Sequence, residues 1–66
     1  MLNGPALKKY RKTKGLKQTD LAKIIGVHPI QISAYENGKT NPKPETITAL
    51  AKALDVPVSK ITTNLW

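Results

Sequence analysis

His28 is the only imidazole in the 66-residue chain, and cysteine is absent. Neither a Cys–His nucleophile pair nor a thiolate metal site can therefore be assembled. The four carboxylates, Asp20, Glu36, Glu45 and Asp55, are scattered along the sequence. Asp20 and Glu45 stand near helix starts, where acids serve the dipole. No glycine-rich phosphate loop is present. A single histidine holds no metal, so His28 is expected to cap a helix or touch a phosphate. These residues lead us to expect a binding protein and not an enzyme, with no cofactor, metal or small-molecule substrate. The chemistry that remains is electrostatic. Eleven Lys and Arg against four Asp and Glu give a net charge of +7 and a pI of about 10.0. That balance points to a polyanionic partner, nucleic acid ahead of a membrane surface or an acidic protein. Lys8, Lys9, Arg11, Lys12, Lys14, Lys17 and Lys23 crowd the early part of the chain, where Asp20 is the only acid. A basic face that merely aids solubility is the other meaning of such a run.

So short a chain makes one domain, residues 1–66 with a core from about residue 5 to 63, and a helical bundle is its simplest way to bury a core. Gly and Pro punctuate it, and apolar residues recur between them with a helical period. Pro5 suits a first turn, and Leu7 and Tyr10 share a face after it. Gly15-Leu16 reads as a stop, giving a first helix from Pro5 to Lys14. A second runs from Gln18 to Ile25, with Leu21, Ala22 and Ile25 inward and Gly26-Val27 as the next stop. A third opens at Pro29, a residue suited to the first helical position, and ends at Asn37-Gly38. A fourth opens at Pro44, where Ile47, Leu50, Ala51 and Leu54 follow i, i+3, i+4, i+7, the cleanest amphipathic pattern here. A fifth, shorter helix is expected around Val58 to Thr63, with Val58, Ile61 and Leu65 facing in. No signal-type leader or stretch of membrane-spanning length is seen, so a cytoplasmic protein is expected.

The spacing of the second and third helices around Gly26-Val27 is that of a helix-turn-helix, although any small bundle needs tight turns. Gln18-Thr19-Asp20-Leu21-Ala22, Gly26-Val27, Ile32-Ser33, Tyr35-Glu36-Asn37-Gly38-Lys39, Asn41-Pro42 and Leu50-Ala51-Lys52-Ala53-Leu54 together resemble the Cro and phage-repressor (XRE-like) family. The likeness runs from about Leu7 to Ile61. It implies an all-α, five-helix, lambda-repressor-like domain whose third helix enters the major groove while the second crosses the backbone. It further implies transcriptional regulation, repression by default, and a homodimer on a two-fold symmetric double-stranded operator. The apolar C-terminal residues Ile61, Leu65 and Trp66 are the candidate dimer contacts, unless the tryptophan folds back on the core.

At about 100° per residue, Ile32, Tyr35 and Glu36 fall on one arc of the third helix. If that arc faces the core, Pro29, Ile30, Gln31, Ser33 and Ala34 form the base-contacting stripe, with Asn37 on the same side. Arg, Gln or Asn usually read purine edges; here the stripe is largely apolar. Ile30 and Ala34 are expected to pack on thymine methyls, with DNA shape adding selectivity. The alternative places Ile30 in the core or against a protein.

The resemblance carries Gln18 onto a phosphate-contacting position, and the free N–H groups of a helix start favour an anion there. Lys17 flanks it, and Asn37, Lys39, Asn41 and Lys43 would clamp the next phosphates. Arg11 and Glu36 match a structural ion pair of the family that orients the third helix. Four departures from its pattern concern caps: Lys17, His28, Lys43 and Pro57 stand where better capping residues are common. Each lost cap costs about 1 kcal/mol. Asp55 stands where glycine is common after the fourth helix, leaving that turn open. Two other readings remain: a protein-docking helix-turn-helix whose stripe at Pro29, Ile30 and Ala34 binds a partner, and an antitoxin that binds both its operator and a toxin.

Overall fold

The computed structural model describes residues 1–63. Four α-helices, α1 (Gly4–Thr13), α2 (Gln18–Ile25), α3 (Pro29–Glu36) and α4 (Pro44–Leu54), precede a single 3-10 turn at Val58–Lys60. The all-α class and the first four helices stand as expected. The fifth helix does not: one turn forms instead. The Asn3 N–H donates to the Ile61 carbonyl (2.7 Å) and the Thr63 N–H to the Met1 carbonyl (2.8 Å), so Leu2 and Thr62 pair as an isolated antiparallel bridge. Backbone groups committed to that pairing cannot also continue a helix. Ile61 is buried as expected, but Val58 is exposed. The third inward residue expected here, Leu65, lies outside the described residues.

Local chemistry explains the helix ends. The Asn3 side-chain oxygen accepts from the Ala6 N–H at 3.1 Å, capping α1 one residue earlier than Pro5 alone suggests. His28 proves a working cap, its Nδ1 accepting from the Ile30 N–H at 3.2 Å. Lys17 and Lys43 cap nothing with their side chains. At α2 the Asp20 carboxylate compensates by accepting from the Lys17 N–H at 2.9 Å, the reciprocal half of a capping box. Gly26 closes α2 in the left-handed region (φ 76°), and the following Val27 N–H returns to the Ala22 carbonyl at 2.9 Å. Only then can α3 begin at Pro29.

The core sits where the helices meet. Leu7, Leu21, Ile32, Leu50, Leu54 and Ile61 are wholly buried. The helix α2 packs on α3 and α4, α1 packs on α3, and the 3-10 turn packs on α4. All four residues of the α4 pattern, Ile47, Leu50, Ala51 and Leu54, are inside. Among the described residues no helix is long and apolar enough to cross a membrane.

Asp55 resolves the open turn by adopting the left-handed conformation itself (φ 57°). That conformation strains a residue bearing a Cβ, and a negative charge at a helix C-terminus opposes the dipole. Its ionic neighbour Lys14, at 3.9 Å, faces solvent and contributes little. Asp55→Gly is expected to stabilise the domain by about 0.5–1 kcal/mol, read as a higher thermal midpoint. A lower midpoint would mean that the Asp55 side chain itself holds the turn.

Candidate nucleic-acid interface

The position of α3 is set by a buried polar network. Arg11 on α1 and Glu36 at the end of α3 are both nearly enclosed, 7% and 6% exposed. Arg11 Nε donates to Glu36 Oε2 at 2.5 Å and Nη2 to Oε1 at 3.2 Å, while Nη1 donates to the Leu16 carbonyl at 2.8 Å. Gln18 Nε2 joins them, donating to Glu36 Oε1 at 3.0 Å. Three helices thus converge on one carboxylate, and the link between the first two is tied to it through Arg11. No buried side-chain polar atom among the described residues lacks a partner, the condition for holding charges out of water without a large penalty.

With Glu36 fixed, α3 buries Ile32, Tyr35 and Glu36, the arc expected from the sequence. The opposite arc faces outward. Ile30 is 70% exposed, Gln31 is exposed, and Pro29, Ser33 and Ala34 are half-buried. Ile30 is therefore not a core residue. Asn37 follows on the same side, exposed, its Nδ2 donating to Ser33 Oγ at 3.3 Å.

Cationic and amide groups border this surface. Lys17, Lys39 and Lys43 are exposed. Gln18 is half-buried; one of its amide hydrogens serves Glu36, leaving the other hydrogen and its carbonyl oxygen. Asn41 is exposed, and its Oδ1 accepts from the Leu2 N–H at 3.3 Å. No described group of three or more His, Cys, Asp or Glu is disposed to hold a metal ion. Sequence reasoning missed the segment Leu2–Gly4, which touches both ends of this region. A signal was present, since Asn3 is a favoured N-cap type two residues ahead of Pro5.

The profile of the helix-turn-helix family matches residues 7–61. The chain belongs to the Cro/C1-type helix-turn-helix family. Among its relatives, the ImmF control region 10 kDa protein of Bacillus phage phi105 is 39% identical over 61 residues, covering 89% of this chain and 68% of that protein. Repressor protein C2 of Salmonella phage P22 is 38% identical over 53 residues, covering 80% of this chain but only 24% of the repressor. A crystal structure of that repressor with a synthetic operator superposes with a TM-score of 0.82 at 34% identity, covering 89% of each chain. The restriction-modification controller protein C.AhdI of Aeromonas hydrophila gives 0.82 at 33% identity, covering 86% of each.

Within this helix-turn-helix frame, the Arg11–Glu36 pair offers a direct test. Glu36→Gln keeps the shape but leaves the Arg11 guanidinium buried without its counter-charge. The domain should lose about 3 kcal/mol or more, measured by urea denaturation. A loss below about 1 kcal/mol, the level of an exposed pair, would mean that water reaches the guanidinium.

Proposed function

We propose that this chain is a sequence-specific regulator of transcription, a repressor, that binds double-stranded DNA with α3 in the major groove. One observation carries the reading: the network around Glu36 turns Ile32 and Tyr35 inward and leaves the opposite arc of α3 facing outward, with exposed lysines at Lys17, Lys39 and Lys43 before and after it in the chain. The P22 relative's structure with an operator supports it, as does the net charge of +7.

In this reading Pro29, Ile30, Gln31, Ser33 and Ala34 meet base edges. Ile30 and Ala34 pack on thymine methyls, while Gln31 and Ser33 supply hydrogen bonds. Lys17, Gln18, Asn37, Lys39, Asn41 and Lys43 meet phosphates and set the register. Gln18 does so with the amide groups that Glu36 leaves free. The protein acts in the cytoplasm as a binding protein without catalytic activity. It binds as a homodimer, with half-sites about one helical turn apart. Ile61 is wholly buried and cannot serve as a dimer contact, while Leu65 and Trp66 lie outside the described residues. Outside α3, Ile24 and Val58 are among the exposed apolar side chains offered instead.

Selection from a random duplex pool, with the winners titrated at two salt concentrations, tests this. A two-fold symmetric consensus bound far more tightly than random DNA is expected. Replacing its contacted thymines by uracil should then weaken binding by about 1 kcal/mol per methyl pocket. Enrichment of no sequence, with only steeply salt-dependent binding to any duplex, would overturn the reading. It would favour a protein partner for the exposed Ile30 stripe.

A further inference from the structure

Gly4 is buried at the first position of α1, and its backbone angles do not require glycine, since it is not among the residues with positive φ. What requires it is proximity. A Cβ on Gly4 would stand 2.7 Å from the Tyr35 carbonyl oxygen and nearer still to that of Glu36. Both obstacles are main-chain atoms at the last turn of α3, so no side-chain rotation relieves the clash. The start of α1 thus abuts the end of α3, positive helix end against negative.

The residues beyond that contact hang from it. The N–H groups of Asn37, Gly38 and Lys39 return to the carbonyls of Ser33 (3.0 Å), Tyr35 (3.3 Å) and Ala34 (2.9 Å). Residues 37–41 are all exposed and only Pro42, at the far end, is buried, so packing anchors the loop there and not along its length. Its far end is tied by the hydrogen bond from the Leu2 N–H to Asn41 Oδ1. With its oxygen so engaged, the Asn41 amide turns both Nδ2 hydrogens to other acceptors. The strap itself is anchored, since the Asn3 N–H donates to the carbonyl of buried Ile61.

We propose that the Leu2–Gly4 strap positions the phosphate-binding loop: Gly4 sets the distance of its α3 end and the Leu2–Asn41 bond orients its amide donor. Gly4 and Leu2 are positioning residues that touch no DNA, and the inference rests on the DNA-binding reading above.

The test compares the full chain with Gly4→Ala, Asn41→Ala and Ala53→Gly. The last weakens α4 by helix propensity, away from the loop. Each is titrated on the selected operator across a salt series, at a temperature where its melting curve shows it folded. Gly4→Ala is expected to bind about tenfold more weakly, with a log–log salt slope shallower by about one phosphate contact. Its Asn37–Asn41 amide resonances should move in the free protein. Ala53→Gly, although less stable, should keep both affinity and slope. Asn41→Ala, changed at an exposed position, should melt as the parent does yet bind several-fold more weakly. If Gly4→Ala does not fold, Leu2→Pro decides the matter, since it removes the N–H that Asn41 Oδ1 accepts and leaves Asn41 itself in place: several-fold weaker binding is expected, and parental affinity would overturn the inference. Parental affinity and slope in folded Gly4→Ala, or in Asn41→Ala, would overturn the inference while leaving DNA binding intact. Failure of the parent chain to select any duplex would remove the DNA-binding reading, and this inference with it.

Discussion

The carboxylate of Glu36 is the point on which three helices converge, and its burial makes their arrangement compulsory. It accepts from Arg11 twice and from Gln18 once, and each donor comes from a different part of the chain. A charge withdrawn from water this far is tolerated only when its partners are complete. This matters most for α3. The helix has eight residues with apolar side chains on both faces, and hydrophobicity alone does not choose whether Ile30 or Ile32 goes inside. The two lie about 200° apart. Glu36 sits one turn from Ile32, and satisfying it selects the rotation that buries Ile32 and exposes Ile30.

The same network ties stability to the proposed contact with DNA. Gln18 begins α2 where free N–H groups attract an anion, and Glu36 restrains its side chain before any phosphate arrives. A restrained donor loses less entropy on binding than a free one. The starts of α2 and α4, whose N-cap side chains make no capping bond, fit this picture. Lys17 and Lys43 place positive charge where the dipole disfavours it, beside a surface that already repels itself through the excess of lysine. A duplex backbone would relieve both conflicts at once. Local rules broken beside a binding surface are a pattern expected of a functional site, although Asp55, after α4, breaks them as well.

Much of this was legible in the sequence for identifiable reasons. The α4 pattern and the stops at Gly26 and Gly38 are periodic or conformational signals that tertiary contacts did not override. The buried arc of α3 followed from angular spacing once Glu36 was grouped with Ile32 and Tyr35. What escaped reading lies in long-range backbone pairing. Nothing local to Val58–Thr63 announces that Leu2 will pair with Thr62 and stop a helix after one turn. The isolated bridge has no strand alternation around it to be found. Gly4 escaped for a related reason: a glycine needed for proximity carries no conformational mark, and its constraint exists only once Tyr35 and Glu36 are in place. The His28 cap, by contrast, is legible: although Ser or Thr is the commoner type there, its Nδ1 is an acceptor and receives the Ile30 N–H as expected.

The composition of the α3 surface also constrains how recognition is shared. A stripe without arginine or lysine cannot draw its affinity from bidentate contacts to guanine, the commonest strong base contact. Affinity must come mainly from phosphates, through lysines and amides outside the stripe. Such contacts are blind to sequence unless they hold the helix at one height and angle. Apolar contacts are sensitive to height, since dispersion falls off within an ångström of separation. A methyl pocket formed by Ile30 and Ala34 therefore discriminates only as well as the surrounding loop is held. In the proposed reading, selectivity is thereby shared between the outward stripe of α3 and the scaffold behind it: the Glu36 network at one side of the helix and the Gly4 contact at its end.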